Sequence, residues 1–409
     1  MVKSCLRLLK TKLSTYAKRL ALKFVLLMGV VSLFGDVTYE GARGVIGPYL
    51  GLLGASAVII GGLTGAAEFI GYTLRIATGA ITDRLRNPWI AIYLGYALNL
   101  IAIPLLAVAG RWEQAAVLVV LERVGKAIRT PGRDAMISEA TSSIGRGMGF
   151  GIHEALDQVG AVAGPVIVSL AIYLSGDYKV GFAILAIPAM ITLVFLDISR
   201  RNFPPTSVNF YRASKPRSNP RISKKFMSYL LFVFTSSAGL ISFQLLSYHV
   251  KTGNFVPDYL LPLLYGLAMG VDAIAALGIG RAYDKHGLRV LMILPLLIIP
   301  IIPLTLLGTV ISIVVAVIVW GIVIGMQETV LRAAVSELSG SSSIGFAYGL
   351  LNATYGIALM TGGFVMGMLY EYSLQLLALY AVLMELASFG ILAVGLKKQT
   401  SNDPHQLDV

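Results

Sequence analysis

The sequence predicts an all-α membrane protein in which twelve transmembrane helices form two pseudo-symmetric six-helix bundles. Three observations carry the prediction. The 409-residue chain is 56% hydrophobic and only 13% charged, where a soluble domain carries about a quarter charged residues; its mean hydropathy is +0.78. Twelve apolar runs are each long enough to cross a bilayer, which takes about 20 residues. One long polar stretch, residues 198–225, holds Pro204, Pro205, Pro216 and Pro220 and divides the runs six and six.

The runs lie at 20–48, 57–82, 88–109, 113–134, 147–174 and 178–197, then at 225–250, 257–282, 287–307, 309–335, 343–370 and 373–396. The expected organisation is a basic N-terminal segment (1–19), a first bundle (20–197), a linker (198–225), a second bundle (226–396) and a tail (397–409). Basic residues set the orientation. Residues 1–23 hold Lys3, Arg7, Lys10, Lys12, Lys18, Arg19 and Lys23 with no acid, and residues 200–225 hold eight bases with no acid. The turns with Arg84 and Arg86, with Arg133 and Arg146, and with Arg281, Lys285 and Arg289, and the tail with Lys397 and Lys398, fall on the same side as these segments, whereas the opposite turns are short and nearly neutral. By the positive-inside rule both termini are expected in the cytoplasm of a multi-pass plasma-membrane protein. This places the +12 net charge at a membrane flank rather than on a nucleic acid. A cleaved signal peptide is not expected, because no small-residue site follows the first apolar run. Cys5 stands alone, which excludes an intrachain disulfide or a cysteine metal cage.

A charge at the bilayer centre costs roughly 2.5–3.5 kcal/mol, so the ionisable residues inside the runs are the functional candidates. In the first run Asp36, Glu40 and Arg43 follow at i, i+4 and i+7, within about 60° of one another on a helix. This face must turn away from lipid. In the second run Gly61, Gly65, Glu68, Tyr72 and Arg75 share a stripe, the glycines allowing close helix approach. In the fourth run Glu122, Lys126, Arg129 and Arg133 share a face, with Arg123 beside it. They read either as self-paired along the helix or as a basic ladder that binds an anion or holds facing acids ionised. Pro131 is expected to end or bend that helix. In the fifth run His153, Asp157, Gly160 and Gly164 align, with Glu154 adjacent; a histidine one turn from an acid suits proton exchange. The later runs are poorer in charge. They hold Asp272, the pair Glu328 and Arg332 expected to be structural, and Glu385, with Gln244, His249 and Asn352 as further polar residues. Ion chemistry is therefore expected in the first half, and an apolar substrate face in the second.

Internal repeats support two halves. "GAITDRLR" (Gly79–Arg86) after the second run parallels "GRAYDKHGLR" (Gly280–Arg289) after the eighth, and "MISEATSSIG" (136–145) parallels "AVSELSGSSSIG" (334–345). Parallel six-span repeats are a transporter architecture. The first of these segments resembles the loop signature of the major facilitator superfamily, Gly-x-x-x-Asp-Arg-x-Gly-Arg-Arg, with Arg86 and Asn87 where Gly-Arg is expected. "ERVGKAIRTPGRDA" (122–135) resembles the charged fourth helix of a prokaryotic efflux-permease branch. "GAVAGPVIVS" (160–169) resembles the antiporter signature Gly-x-x-x-Gly-Pro-x-x-x-Gly through Gly160, Gly164 and Pro165, with Ser169 where a later glycine is common. The resemblance implies that fold and working by alternating access, with a conformational latch at Gly79, Asp83 and Arg84 and at Gly280, Asp284 and Lys285.

The chain lacks a Walker loop, HExxH and Gly-x-Ser-x-Gly, so no enzyme is expected. The function expected is proton-coupled efflux of a small organic or amphipathic compound, without a cofactor and with the proton as coupling ion. Asp36, Glu40, Glu68 and Asp157 are the proton-site candidates, and a monomer is expected. Export of a divalent cation is the alternative; Asp36, Glu40, His153 and Asp157 form its ligand set if the first and fifth spans are neighbours. Anion or sugar transport through the fourth-span ladder is another. A receptor or scaffold would need an appended ligand or signalling domain, where the sequence offers only short basic segments.

Overall fold

The computed structural model describes residues 2–82, 87–141, 145–203, 223–338 and 344–401. Among these residues there is no strand. The first crossing belongs to α1 (Val2–Leu52). The basic segment expected to stand apart at 1–19 is continuous with that helix, since residues 2–28 contain neither Gly nor Pro and are rich in good helix formers. A turn through Gly54, whose φ of 91° lies in the left-handed region, leads to α2 (Ala57–Thr82). Next come α3 (Trp89–Leu105) and α4 (Trp112–Ala140).

The α4 helix does not stop at Pro131 but runs on to Ala140. Proline removes the N–H that would bond the carbonyl four residues earlier. That carbonyl belongs to Ala127, and the Thr78 hydroxyl of α2 donates to it at 2.8 Å. A neighbouring helix thus satisfies the freed backbone group, as a membrane interior requires.

The fifth crossing is α5 (Arg146–Ser175), ended by Gly176 in the left-handed conformation. The sixth is made by α6 (Tyr178–Ile184) and α7 (Ala186–Asn202). Of the expected linker, 204–222 lie outside the described residues. The seventh crossing is broken: α8 (Lys224–Ala238) stops, and α9 (Phe243–Thr252) restarts behind Ser242, whose hydroxyl accepts from the Leu245 N–H. The eighth is α10 (Leu260–His286). In the ninth, Pro295, Pro300 and Pro303 leave only a 3-10 turn (Gly287–Met292), α11 (Ile293–Ile298) and α12 (Ile301–Leu306). The last three are α13 (Val310–Leu338), α14 (Ile344–Tyr372) and α15 (Leu374–Ser401). The helix α15 carries on into the expected tail, whose residues 402–409 lie outside the described residues.

Ten described stretches are long and apolar enough to cross a membrane. The charged α4 falls outside that set. One stretch, Leu260–Leu306, has 47 residues, about 70 Å as helix against a core of ~30 Å. It makes two crossings, divided at Gly287, so the crossings are twelve. Large apolar side chains such as Leu174, Ile274, Leu277 and Ile311 lie exposed on the outside, as a lipid-facing surface requires.

Within the first six crossings α1 packs on α5, α7 and α4, and α4 packs on α2 and α3; within the last six α10 packs on α13, and α8 on α14 and α15. The two groups meet along α2 with α14, α5 with α10, and α1 with α9 and α10. Glycine makes these contacts close. Gly61 and Gly65 of α2 abut the backbone of Gly363 and of Leu359–Met360, and Gly47 of α1 abuts the backbone of Gln244. A Cβ on Gly44 would lie 2.9 Å from Pro262 and Tyr265. These contacts seal the end of the bundle opposite the basic turns.

Candidate functional site

Toward the basic end the two groups of helices diverge around a cavity of about 530 Å³. From the first half it is lined by Asp36, Glu40, Arg43, Glu68, Arg75, Lys126, Arg123 and Arg133, with Glu154 and Asp157 of α5. From the second half come Gln244, Asp272, Glu328, Arg332 and Asn352, with the aromatic side chains of Tyr265, Trp320, Tyr348 and Tyr355. The stripes read from helical spacing converge here, which is why the first crossing tolerates two acids and a base.

The first-half charges form one network. Arg43 Nε lies 3.2 Å from Glu40 Oε2, and its Nη2 lies 3.7 Å from Glu68 Oε1. Arg123 Nη2 meets the same Glu68 oxygen at 2.7 Å, and Arg123 Nε lies 3.3 Å from Glu122 Oε2. Lys126 Nζ lies 3.7 Å from Glu40 Oε1 and 4.2 Å above the Tyr39 ring. Three acids thus share three bases. Asp36 stands outside this set: it is buried, and the Tyr39 hydroxyl donates to its Oδ1. Gly160 of α5 rests against the Asp36 Cβ and the Leu33 carbonyl, and Gly164 against Val37 and Gly41. The expected packing motif is therefore what seats α5 on the α1 acid. The helix α5 continues through Pro165, which in turn touches Gly266 of α10.

The remaining candidates divide. Glu122 is turned toward α3, where Asn99 Nδ2 donates to its Oε1 at 2.9 Å. Arg129 is a correction to the expected ladder: it does not line the cavity but is 0% exposed, its guanidinium 4.3 Å from the Tyr96 ring and 5.4 Å from that of Tyr39. The cause is the tight seam between α3 and α4, where Gly95 and Gly125 meet backbone to backbone, enclosing the side chain. His153 is likewise buried behind the wall, its Nδ1 3.6 Å from Asp157 Oδ1. The spans carrying Asp36, Glu40, His153 and Asp157 are neighbours, yet these four do not assemble a ligand set. Among the described residues no three His, Cys, Asp or Glu side chains gather to hold a metal. Glu40 is taken by Arg43, Lys126 and Tyr265, and Asp36 by Tyr39.

In the second half the expected Glu328–Arg332 pair is not formed within 4.0 Å among the described ion pairs; both side chains instead reach into the cavity. Asp272 is buried in α10 facing Gln158 of α5. His249 lies away from the cavity, Nδ1 2.9 Å from the Tyr370 hydroxyl, and Glu385, also absent from the cavity lining, is buried against Gly239. Of the expected latch, Asp83 and Arg84 lie outside the described residues; Gly79 and Gly280 sit near the ends of α2 and α10, and Asp284 and Lys285 are exposed at the end of α10.

Sequence reasoning missed Tyr265. Its hydroxyl donates to Glu40 Oε2 at 2.5 Å and lies 3.5 Å from Arg43 Nη1, joining α10 to α1. A tyrosine in an apolar run carries no charge signal, and only the α1–α10 contact reveals it.

Comparison with known proteins agrees with this fold. The sequence profile of the Major Facilitator Superfamily matches residues 25–363. An uncharacterised protein of Mycobacterium tuberculosis is 36% identical over 375 residues, 90% of this chain and 91% of that one. An uncharacterised MFS-type transporter of Methanocaldococcus jannaschii is 26% identical, covering 90% of this chain and 93% of that one. Among solved structures, a nucleoside transporter superposes with a TM-score of 0.73 at 15% identity, covering 90% of this chain and 99% of that one. A POT family transporter in complex with 5-aminolevulinic acid gives 0.74 at 14% identity, covering 91% and 95%. At such identity these structures share the fold alone.

Proposed function

The chain belongs to the Major Facilitator Superfamily, and from that premise we propose that it is a proton-coupled antiporter that exports a small organic or amphipathic compound. Membership makes it a secondary transporter of a small molecule, embedded in the membrane and not an enzyme. The finer reading rests on one observation: Glu40, Glu68 and Glu122 share the cations Arg43, Arg123 and Lys126, while Asp36 makes no ion pair within 4.0 Å among the described residues and accepts from the Tyr39 hydroxyl. Acids locked in ion pairs keep their charge through a cycle. A buried acid held by a neutral donor is the one that can gain and lose a proton without breaking a pair.

With the basic turns in the cytoplasm, the cavity faces inward and its outer end is closed. Substrate enters between the charged wall of α1, α2 and α4 and the aromatic wall of Tyr265, Trp320 and Tyr355. The halves then rock, exposing the same site outward. There a proton on Asp36 resets the cycle. Glu40, Glu68 and Asp157 take supporting places, the first two holding cations and the last standing beside His153. The acids and bases along one wall favour a substrate with polar groups at one end and an apolar body.

The test is proton movement in proteoliposomes loaded with a pH-sensitive dye, challenged with a panel of small organic cations, anions and neutral amphiphiles. At least one compound is expected to drive proton flux through the parent protein, and Asp36→Asn to abolish it while remaining folded. Compound efflux that ignores an imposed pH gradient and survives Asp36→Asn unchanged would overturn the proposal.

A further inference from the structure

Outside the central cavity, the second half hides one acid that no part of the transport reading uses. Glu385 lies near the middle of α15 and is 0% exposed. Neither carboxyl oxygen has a hydrogen-bond partner, and the same holds for the hydroxyls of Ser388, one turn along the helix, and of Ser236 on α8. Ser236 lies beside the carboxyl but outside hydrogen-bond geometry. Both serines are also buried, at 0% and 1% exposure. Three buried polar side chains thus lie on the facing helices α8 and α15, their oxygens without a hydrogen-bond partner among the described residues.

The backbone makes the arrangement more demanding. The carboxyl Oε1 presses on Gly239, at a place where any Cβ would collide with it. Gly239 is the C-cap of α8, where the seventh crossing breaks before resuming at Phe243. A helix C-terminus carries the negative end of the helix dipole and unpaired carbonyl groups. An ionised carboxylate there meets like charge, in an apolar site where an unpaired charge is already costly. Among the described residues no lysine, arginine or histidine forms an ion pair with it. Of the elements packed on α15, α8 and α14 carry charge at Lys224, Lys225 and Glu371, the 3-10 turn Gly287–Met292 carries the exposed Arg289, and α11 and α12 carry none; all four charges lie near element ends. The titratable side chain felt from its own helix is Tyr380.

We propose that Glu385, at the break between α8 and α9, binds a monovalent cation, a proton or a sodium ion. The donor set is oxygen only, two carboxyl oxygens, two hydroxyls and the carbonyl end of α8, which suits a hard cation. One carboxylate balances one positive charge, so a divalent ion would leave the site charged. The position also gives the cation a means to act. Leu240, Ile241 and Ser242 of the same break line the central cavity, and Trp320 Nε1 donates to the Ile241 carbonyl at 3.0 Å. Filling the site fixes the C-terminal end of α8, and the broken segment carries this to the cavity wall. Discontinuous helices serve cation sites of this kind in other transporter folds.

Two measurements on the purified full-length protein in detergent test this without any transported compound, so their outcome is independent of the antiport reading. The first is thermal unfolding as sodium replaces choline at constant ionic strength. The second is the infrared difference between parent and Glu385→Gln in the carboxylic-acid stretching region at neutral pH. A saturable rise in melting temperature that Glu385→Gln removes assigns the site to sodium. A carboxylic-acid band that Glu385→Gln removes, unchanged by sodium, assigns it to a proton. Ser388→Ala keeps the carboxyl, and is expected to weaken the sodium response several-fold or to shift the band. If neither response is present in the parent, or if both survive Glu385→Gln, the site is refuted. Should Glu385→Gln fail to fold, the same two readouts in Ser388→Ala decide, an unaltered response counting against the site.

Discussion

Replacing Tyr265 by phenylalanine removes one oxygen atom from the seam between the two halves. The hydroxyl is buried, donates to Glu40 Oε2 at 2.5 Å, and belongs to α10 while Glu40 belongs to α1. A hydrogen bond to a charged acceptor contributes about 1.5–3 kcal/mol, roughly ten- to a hundredfold in a two-state ratio. Glu40 keeps Arg43 and Lys126 on its own half, so the acid is not orphaned and the protein is expected to fold. The bond joins the halves in the state whose outer end is closed, and parting the halves there would break it, so its loss is expected to shift the population toward separation. Spin labels at Leu52→Cys and Leu307→Cys, on a Cys5→Ser background, report the change. These positions are 60% and 67% exposed at the closed end, one in each half. Double electron–electron resonance is expected to show the longer-distance population rising at least tenfold relative to the shorter in Tyr265→Phe. An unchanged distribution in a folded, monodisperse variant would refute the reasoning.

The packing of α5 on α1 predicts that Gly164→Ala, whose Cβ would enter the Val37 carbonyl and crowd Gly41, destabilises by about 1–3 kcal/mol. Gly395→Ala, which meets nothing nearer than Ser228 Oγ at 3.6 Å, leaves the melting temperature unchanged; equal melting of the two variants would count against the seam. The charge network predicts that Glu68→Gln, which strips the shared partner from Arg43 and Arg123, lowers the melting temperature by several degrees. Glu328→Gln, whose carboxyl makes no described ion pair, does so by less than one degree on the same thermal assay, ~1 kcal/mol corresponding to a few degrees at this size.

The twelve crossings were legible because burial in lipid demands long apolar runs, and the cavity wall because charges in such runs must share the protected face. Asp36, Glu40 and Arg43 follow from spacing alone. Arg129 does not, because its spacing matches the cavity face while the Gly95–Gly125 approach of α3 to α4 decides its surroundings. The run past Pro131 was equally hidden, since Thr78, which satisfies the freed carbonyl, belongs to another helix. Tyr265 and the Glu385 enclosure were illegible for the same reason: each depends on which helices become neighbours, and a single sequence without aligned relatives carries periodicity but no pairing. Expectation and structure differ most in the second half, whose few charges led to an apolar reading that Asp272, Glu328 and Glu385 qualify.

The distribution of polar contacts bears on how such a protein can move at all. None of the described ion pairs joins the two halves: Arg43, Glu68, Arg123, Lys126 and Glu40 belong to the first six crossings, and Lys251–Asp258 to the last six. What crosses the seam is weaker. The Ser169 hydroxyl donates to the Tyr259 carbonyl at 2.6 Å, the Val58 N–H to Glu371 Oε1 at 3.1 Å, Tyr265 to Glu40, and Arg43 Nη1 and the Thr64 hydroxyl to Tyr265 and Ser242 at 3.5 Å each; the rings of Tyr72 and Tyr355, and of Tyr173 and Tyr259, also meet there, together with glycine against backbone. Breaking a buried ion pair by removing one partner costs about 3–5 kcal/mol, and several such ruptures would lift one state beyond reach. Two interconverting states need to lie within a few kcal/mol. Hydrogen bonds of about 1 kcal/mol between neutral groups and about 1.5–3 kcal/mol to a carboxylate, with dispersion contacts that can re-form in a shifted register, meet that condition. The charges pair within their own half as a set, and the energy of alternation is left to a few hydrogen bonds, most of them from neutral donors, that a proton or a substrate can bias.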